Sequence, residues 1–424
     1  MKIAILSDFH FGFSYTSEIE NDSFENAEEA IKRALDCDLI LIAGDIFDSR
    51  TPRTSVLAKG VNILVKPLLQ ENKGVKLISS SKELKAISQR VFNHLPVIAI
   101  HGTHERGGKD SINPIQALEN AGILIHLHCD TIVLEKNGEK VAIHGMSGVP
   151  ERYAKDVLEK WSPKPVENCF NILLLHQSIA PFIYSPLEPP SLNISNLPKG
   201  FDLIVDGHLH LSEKEKFDNT TLIFPGSTIV TQFEANEAVS EKGFFKLEIR
   251  EKAFEIDFIR LENNRKFFYE ELKLSKDFST REQIENKIKN ILRKEFKKKP
   301  LIKVKLTGKE FQVSDKELRE IEKKYSEKAI IIFSKDLESE EISRKIEILR
   351  SLREQKLSIE EIGLNILEKN LSDLGFSSTF DWDRIFHLLS ENQVETASNI
   401  LLGEQATLEK ILEKSLSKGL KVAK

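Results

Sequence analysis

Short apolar runs recur along the first part of the chain, separated by longer stretches whose apolar residues return every three or four positions. Residues 2–6, 39–43, 97–100, 141–144, 171–175 and 203–205 predict strands. Several are apolar at nearly every position, which suits strands covered on both faces. Residues 24–35, 54–69, 82–92 and 114–120 carry helical spacing. Strands alternating with helices give an α/β class. Polar residues gather at the C-terminal ends of these strands, where open α/β sheets place their ligands.

Further along, 222–224 and the alternating runs 243–249 and 253–260 predict strands that close this first unit. A second unit from about 265 to 333 reads strand (266–272), helix (281–295), strand (301–306), helix (316–324) and strand (329–333). From Glu340 onward no strand is predicted. Apolar stripes at Ile342, Ile346, Leu349 and Leu352, then at Ile359, Ile362, Ile366 and Leu367, predict helices, with a break near 375–379. The expected domains are 1–262, 263–336 and 337–424.

Composition narrows this picture modestly. A 40% hydrophobic fraction over 424 residues is ample for packed cores. The formal net charge of -5 argues against a generally basic coat for nucleic acid, although a local basic stripe and metal ions can still meet phosphates. Cys37, Cys129 and Cys169 show no metal-type spacing, and each lies in or beside an apolar run, so they read as buried thiols. The chain opens on the strand-like MKIAILSD without a signal-peptide pattern, and no apolar run approaches a membrane span. A soluble cytoplasmic protein without a membrane partner is expected.

Five segments carry candidate chemistry: Asp8-Phe9-His10, Gly44-Asp45-Ile46-Phe47-Asp48, Gly102-Thr103-His104-Glu105, His176, and Gly207-His208-Leu209-His210. A lone Asp-x-His is more often a satisfied structural pair. Five such segments at successive strand ends point instead to metal ligands. Two divalent cations about 4 Å apart polarise a phosphoryl group and activate a water, which requires a bridging carboxylate and mixed imidazole and carboxylate ligands. That donor set suits Mn, Fe or Zn better than Mg or Ca, and the absence of cysteine argues against a structural zinc.

In this order the segments resemble the calcineurin-like metallophosphoesterase superfamily over residues 1 to about 235. The resemblance implies a two-sheet αββα sandwich, with Asp8, His10, Asp45 and His210 on a first metal. It places Asp45 as the bridge to a second metal held also by His176 and His208, with Thr103 at the remaining ligand position. His104 would not ligate but would stabilise the transition state or protonate the leaving oxygen. The superfamily has Gly-Asn-His where this chain has Gly102-Thr103-His104, and a Thr hydroxyl is a weaker, shorter ligand than an Asn carbonyl. Asp48, three residues after Asp45, is expected to orient His104 as an acid dyad, with Glu105 as the alternative orienter. His101 reads as a supporting or structural residue, and His126, His128 and His144 as packing residues.

Asp8-Phe9-His10-Phe11-Gly12, Asp22-Ser23-Phe24 and the run from Ile42 to Pro52 are similar to SbcD-type double-strand-break repair nucleases, the meiotic-recombination-eleven family. The resemblance implies that 263–336 is a small α/β capping domain contacting DNA. It also implies that C-terminal helices grip an SMC-like coiled-coil ATPase of the SbcC type, that the chain is a homodimer, and that the cations are manganese. Helices at 54–69 and 82–92 would supply the dimer face. Arg293, Lys294, Lys297, Lys298 and Lys299, near Phe296, are the candidate phosphate contacts, set against the ordinary reading of a solvated basic face. The expected activity is exonuclease on duplex ends and endonuclease near single strands. The alternatives are a metallophosphatase or phosphodiesterase acting on a small substrate, and a weakly active DNA- and ATPase-binding scaffold.

Overall fold

The structure is a computed structural model. It describes residues 1–337 except 15, 109–110, 184–189, 251–252, 274–279 and 309–313, and beyond 337 only 384, 385, 388, 398 and 400. The chain divides into two compact units, Met1–Asp336 and Leu337–Lys424. The helices expected to bind an ATPase lie outside the described residues.

Two sheets stack face to face in the first unit. One runs, in spatial order, Ala253–Arg260, Gly243–Arg250, Lys2–Leu6, Leu39–Ala43, Val97–Ile100 and Ile125–His126. The other runs Glu213–Phe217, Thr220–Phe224, Leu203–Asp206, Phe170–Leu175, Glu139–Met146, Asp130–Lys136 and Lys76–Ser80. The site-bearing strands Lys2–Leu6, Leu39–Ala43 and Val97–Ile100 are parallel neighbours, as are Phe170–Leu175 and Leu203–Asp206, so each set delivers its C-terminal ends to the same edge.

Side-chain alternation explains why these strands are apolar throughout. Ile3, Ile5, Leu39 and Leu41 face Ile143, Ile172, Leu174 and Val205 in the core between the sheets. Ala4, Leu6, Ile40 and Ile42 point the other way, onto Phe24, Ala27 and Ile31 of helix Asp22–Ala34 and Ile63 and Leu64 of helix Thr54–Leu64. On the far side, Leu173, Leu175 and Ile204 meet Ala154 and Leu158 of helix Glu151–Trp161. Helices, sheet, sheet and helix make the αββα sandwich. A polar set on either face would have exposed that layer to water.

The small α/β part places strands Phe267–Lys273, Leu301–Gly308 and Ile330–Leu337 in one sheet. Helices Thr280–Ile291 and Asp315–Tyr325 cover one face through Ile284, Ile288, Leu318 and Ile321. The other face presents Phe267, Leu301 and Ile330 to Ile19 and Phe233.

Residues 82–92 are not one helix. Ile87 is extended and reaches the inter-sheet core, so only a 3-10 turn at Leu84–Ala86 and a short helix Gln89–Asn93 form. Pro67 removes an amide donor, and 54–69 tightens after Leu64 into 3-10 helix Lys66–Leu69. Strand Glu213–Phe217 escapes the periodicity because it is a polar edge strand, paired with Thr220–Phe224 only.

Candidate metal centre

Two parallel strands begin the site. After Lys2–Leu6 and Leu39–Ala43 the chain enters loops that bond to one another, Asp8 N–H donating to Gly44 O and His10 N–H to Asp45 O, both at 3.0 Å. Asp8, His10, Asp45 and His208 all take left-handed backbone, with φ of 52°, 49°, 47° and 67°. Such conformations cost about 1–3 kcal/mol each and persist where surrounding structure imposes them. Glycine is obligatory beside them: a Cβ at Gly44 would stand 2.4 Å from His176 Nδ1, and one at Gly102 would stand 2.1 Å from Asp45 Oδ1.

Three histidines are anchored by Nδ1 and turned inward by Nε2. His10 Nδ1 bonds Asp48 Oδ1 at 2.9 Å, His176 Nδ1 donates to Ala43 O at 2.7 Å, and His210 Nδ1 bonds the Thr231 hydroxyl. An imidazole held at one nitrogen presents the other as a fixed ligand atom. His10 Nε2 and His210 Nε2 approach to 3.0 Å, each within 4 Å of Asp8 Oδ1 (3.7 and 3.5 Å), while His176 Nε2 lies 3.2 Å from Asp45 Oδ2.

Among the described residues three overlapping groups can each hold an ion: Asp8 with His10 and His210; His10 with Asp45 and His104; Asp8 with Asp45 and His176. Asp8 and Asp45 each belong to two of them. Both Asp8 oxygens and His176 Nε2 are buried without a hydrogen-bond partner. A fully buried carboxylate left so is costly unless a cation meets it, so these donors fit a divalent metal. The cluster favours ionised carboxylates. Burial opposes charge on Asp8, but the His10 and His210 imidazoles facing it, with the positive charge of His176 nearby, hold it well below its usual range. Burial likewise opposes charge on His10 and His176, yet Asp48 and Asp8 raise the first to about 10, and Asp45 raises the second to about 10. Burial dominates at His210, which falls to about 4.

Other expected residues fall differently. The His208 ring lies against that of His176, centroids 5.6 Å apart, and belongs to none of the three groups among the described residues. Thr103 is half-buried on the loop between Gly102 and His104. Asp48 is not the exclusive partner of His104: its carboxylate is 2.9 Å from His10 Nδ1 and 3.4 Å from His104 Nδ1, which donates to the Asp48 backbone carbonyl at 3.2 Å. Glu105 does not orient His104. It is fully buried, and its oxygens accept from Phe47 N–H (2.7 Å) and Gly102 N–H (2.9 Å), tying two site loops together. Burial and the nearby Asp45 push its carboxyl up to about 8. His101, His126 and Ser147 form a buried hydrogen-bonded group behind the site. Thr231 was not visible in the sequence pattern, because it lies 21 residues from His210 on an irregular loop without a motif.

The basic residues separate into two kinds. Arg293, Lys294 and Lys297 are exposed, and Lys294 and Lys297, with Lys298 beside them, line an open groove of about 510 Å³ that also includes Lys266, Phe268 and Phe296. Lys298 and Lys299 depart from the expectation of phosphate contacts: Lys298 pairs with Glu25 (2.6 Å) and Asp22, and Lys299 with Glu18 (3.0 Å) and the Ser326 carbonyl. Beside them Arg265 pairs with Asp22, so these cations join the small α/β part to helix Asp22–Ala34 and the turn before it. Among the described residues no helix is long and apolar enough to cross a membrane.

The chain is similar in sequence to known proteins. The family model described as calcineurin-like phosphoesterase matches residues 1–212. The double-strand break repair protein MRE11 of Encephalitozoon cuniculi is 28% identical over 328 residues, covering 73% of this chain and 56% of that protein. The DNA double-strand break repair protein Mre11 of Methanopyrus kandleri is 27% identical, covering 62% of this chain and 58% of the relative. That of Sulfolobus acidocaldarius is 26% identical, covering 73% and 75%. The chain thus spans a little over half the length of the first two relatives. It belongs to the calcineurin-like phosphoesterase family and, within it, is similar to Mre11-type repair proteins.

Proposed function

We propose that this chain is a DNA nuclease of the Mre11 type that works with two divalent cations, manganese being the preferred pair. The observation that carries the reading is the buried cluster in which Asp8 and His176 Nε2 lack hydrogen-bond partners while His10, His176 and His210 are each pinned through Nδ1. Bound cations would supply positive charge to a phosphoryl oxygen and acidify a water. Asp8, His10 and His210 would hold one, Asp45 would bridge, and His176 and His208 would complete the other, with Thr103 beside it.

The protein's own contribution is position. Asp45 accepts the His104 backbone N–H at 2.9 Å, so the carboxylate that bridges also sets the loop that carries the acid. His104 is 45% exposed on its side chain and edge-on to His10, at the mouth of the cluster. With Nδ1 against Asp48, its Nε2 is free to give a proton to a leaving 3′ or 5′ oxygen. The exposed Arg293, Lys294 and Lys297 would add sequence-independent phosphate contacts. Leu69 and Leu84, 77% and 61% exposed, are apolar area that a second copy would cover, and residues 337–424 would engage an SMC-like ATPase.

The test is degradation of end-labelled linear duplex DNA in Mn²⁺, with EDTA and Asp45→Ala as controls. Metal-dependent shortening that the variant lacks is expected. DNA that is bound but intact would transfer support to a scaffold, and turnover of small phosphate esters without DNA cleavage to a phosphatase.

A further inference from the structure

The loop after strand Thr220–Phe224 passes directly beneath the metal cluster and is fastened there at several points. Thr228 N–H donates to Asp8 O at 3.2 Å, and Ser227 N–H to His210 O at 3.2 Å. Three residues further on, the Thr231 hydroxyl meets His210 Nδ1. The loop cannot hold that hydroxyl in place by its own regular structure, because it has none. Its anchors come from helix Ala235–Val239 and the residues just after it.

Those anchors are a buried ion pair. Lys242 and Glu237 are 1% and 2% exposed, and Lys242 Nζ lies 2.8 Å from Glu237 Oε1. Glu237 in turn accepts the backbone N–H groups of Gln232 (2.7 Å), Phe233 (3.0 Å) and Thr231 (3.3 Å). The remaining Lys242 donors go to Ser227 Oγ at 2.8 Å and to the backbone carbonyl of His210 itself at 3.0 Å. One ammonium therefore holds both ends of the His210–Thr231 contact, the histidine by its carbonyl and the threonine through Glu237. Pairing two charges so far from water is not a cheap way to add stability, since hydrophobic residues of the same volume often serve as well. The arrangement does give directed hydrogen bonds to fixed backbone atoms, which is what holding a ligand ring requires.

We propose that Thr231 is a positioning residue for His210, and that the buried Lys242–Glu237 pair is the brace that keeps it there, so that this frame sets the affinity of the cation held by Asp8, His10 and His210. His210 Nδ1–H donating to Thr231 leaves the Nε2 lone pair directed at the ion. Partners of this kind, one bond behind a ligand, typically change metal affinity about 10–100-fold when removed. The loop has a second consequence. Phe233, two residues beyond Thr231, packs with Ile19, Phe267 and Leu301, and Lys303 pairs with Glu234 at 2.9 Å, so the same segment carries the seat of the small α/β part. The frame thus links the metal ligand His210 to the surface on which that part rests.

The inference rests on the cluster binding divalent cations and not on the nuclease reading, so it is tested without DNA. Metal-free full-length chain is titrated with Mn²⁺ by calorimetry, and with Co²⁺ by its visible absorption. Thr231→Val keeps the shape and removes the hydroxyl. It is expected to weaken one of two Mn²⁺ sites about 10–100-fold, to leave the other unchanged, and to alter the Co²⁺ spectrum of the weakened site. Thr231→Ser is expected to restore both. Glu237→Gln, which loosens the brace one bond further away, is expected to weaken the same site by less and gives the answer should Thr231→Val fail to fold. Wild-type binding in Thr231→Val, or a Thr231→Ser variant as weak as Thr231→Val, overturns the proposal while leaving metal binding intact. A wild-type chain that takes up no Mn²⁺ overturns the metal reading itself and this proposal with it.

Discussion

The metal cluster and the basic turn after helix Thr280–Ile291 are both built from charged residues, and they behave in opposite ways. At the cluster the side chains, His104 apart, are buried, converge on a common volume, and leave both Asp8 oxygens and His176 Nε2 without a hydrogen-bond partner. At the basic turn two of the five cations, Lys298 and Lys299, turn away from solvent to pair with Asp22, Glu25 and Glu18. An unsatisfied buried carboxylate is costly and points to a missing partner. An exposed lysine is nearly free and takes whatever acid is nearby. Burial without satisfaction, more than charge, is what separates the functional set from the structural one.

Removing one unsatisfied group should have the largest effect. Asp8→Ala deletes a carboxylate shared by two of the three ligand groups, and DNA cleavage in Mn²⁺ should fall on the order of 10³-fold or more, the several kcal/mol that a held cation contributes. Binding of the same duplex at low salt should change little. A variant that retains more than a tenth of the wild-type rate would show that the cluster is not the reacting centre.

That cluster was legible in the sequence for a chemical reason. Metal ligation allows few residue types, and strand ends place them, so Asp8, His10, Asp45, His176 and His210 are visible as spaced motifs. The αββα layering was legible because Ile3-Ala4-Ile5-Leu6 and Ile172-Leu173-Leu174-Leu175 need apolar neighbours on both sides. What the pattern could not carry was pairing set by tertiary contact. Nothing in Gly102-Thr103-His104-Glu105 tells that Glu105 turns inward to bond the Phe47 amide rather than outward to His104. Nothing local to Lys298 announces Glu25, more than two hundred and fifty positions earlier in the chain. Thr231, Glu237 and Lys242 are ordinary residues until the loop folds beneath His210.

Glu105 sharpens the contrast from the structural side, being buried and satisfied. Glu105→Ala would orphan the amides of Phe47 and Gly102, each costing about 1–3 kcal/mol. Urea unfolding of the metal-free chain should show the loss as a lower midpoint, with cleavage reduced through the displaced Asp45 loop. An unchanged midpoint would mean that water replaces the carboxylate at the Phe47 and Gly102 amides.

A smaller effect separates the two kinds of lysine. Replacing Arg293, Lys294 and Lys297 together by Ser should weaken duplex binding about tenfold at moderate salt and lower the slope of log affinity against log salt by roughly 3, about one per lost contact. Lys298→Met with Lys299→Met should leave that slope nearly unchanged, and should instead make the junction with helix Asp22–Ala34 more susceptible to proteolysis. If the second pair flattened the slope as much as the first set, the ion pairs with Glu25 and Glu18 would not survive contact with DNA.

The least of these effects lies within the small α/β part, where a buried acid is satisfied by partly exposed cations. Glu285 accepts from Lys324 at 2.6 Å and from the Tyr325 hydroxyl at 3.2 Å, with Arg281 beside it. Lys324 foremost, against a smaller opposing effect of burial, lowers its carboxyl from 4.5 to about 2. The unfolded chain therefore takes up this proton first as acid is added. The stabilisation is complete above about pH 4.5 and drains away as the pH falls towards 2. Glu285→Gln removes the charge at every pH, so the gap in thermal midpoint between wild type and variant should be full at pH 6, narrowed at pH 3 and closed only below about pH 2. Lys324 is half exposed, so screening keeps that gap small, and added salt should narrow it further. A gap that stayed constant with pH would assign the contact to packing rather than charge. It would also set Glu285 beside Glu105, a buried acid whose hydrogen bonds hold structure, and apart from the surface pairs of Lys298 and Lys299.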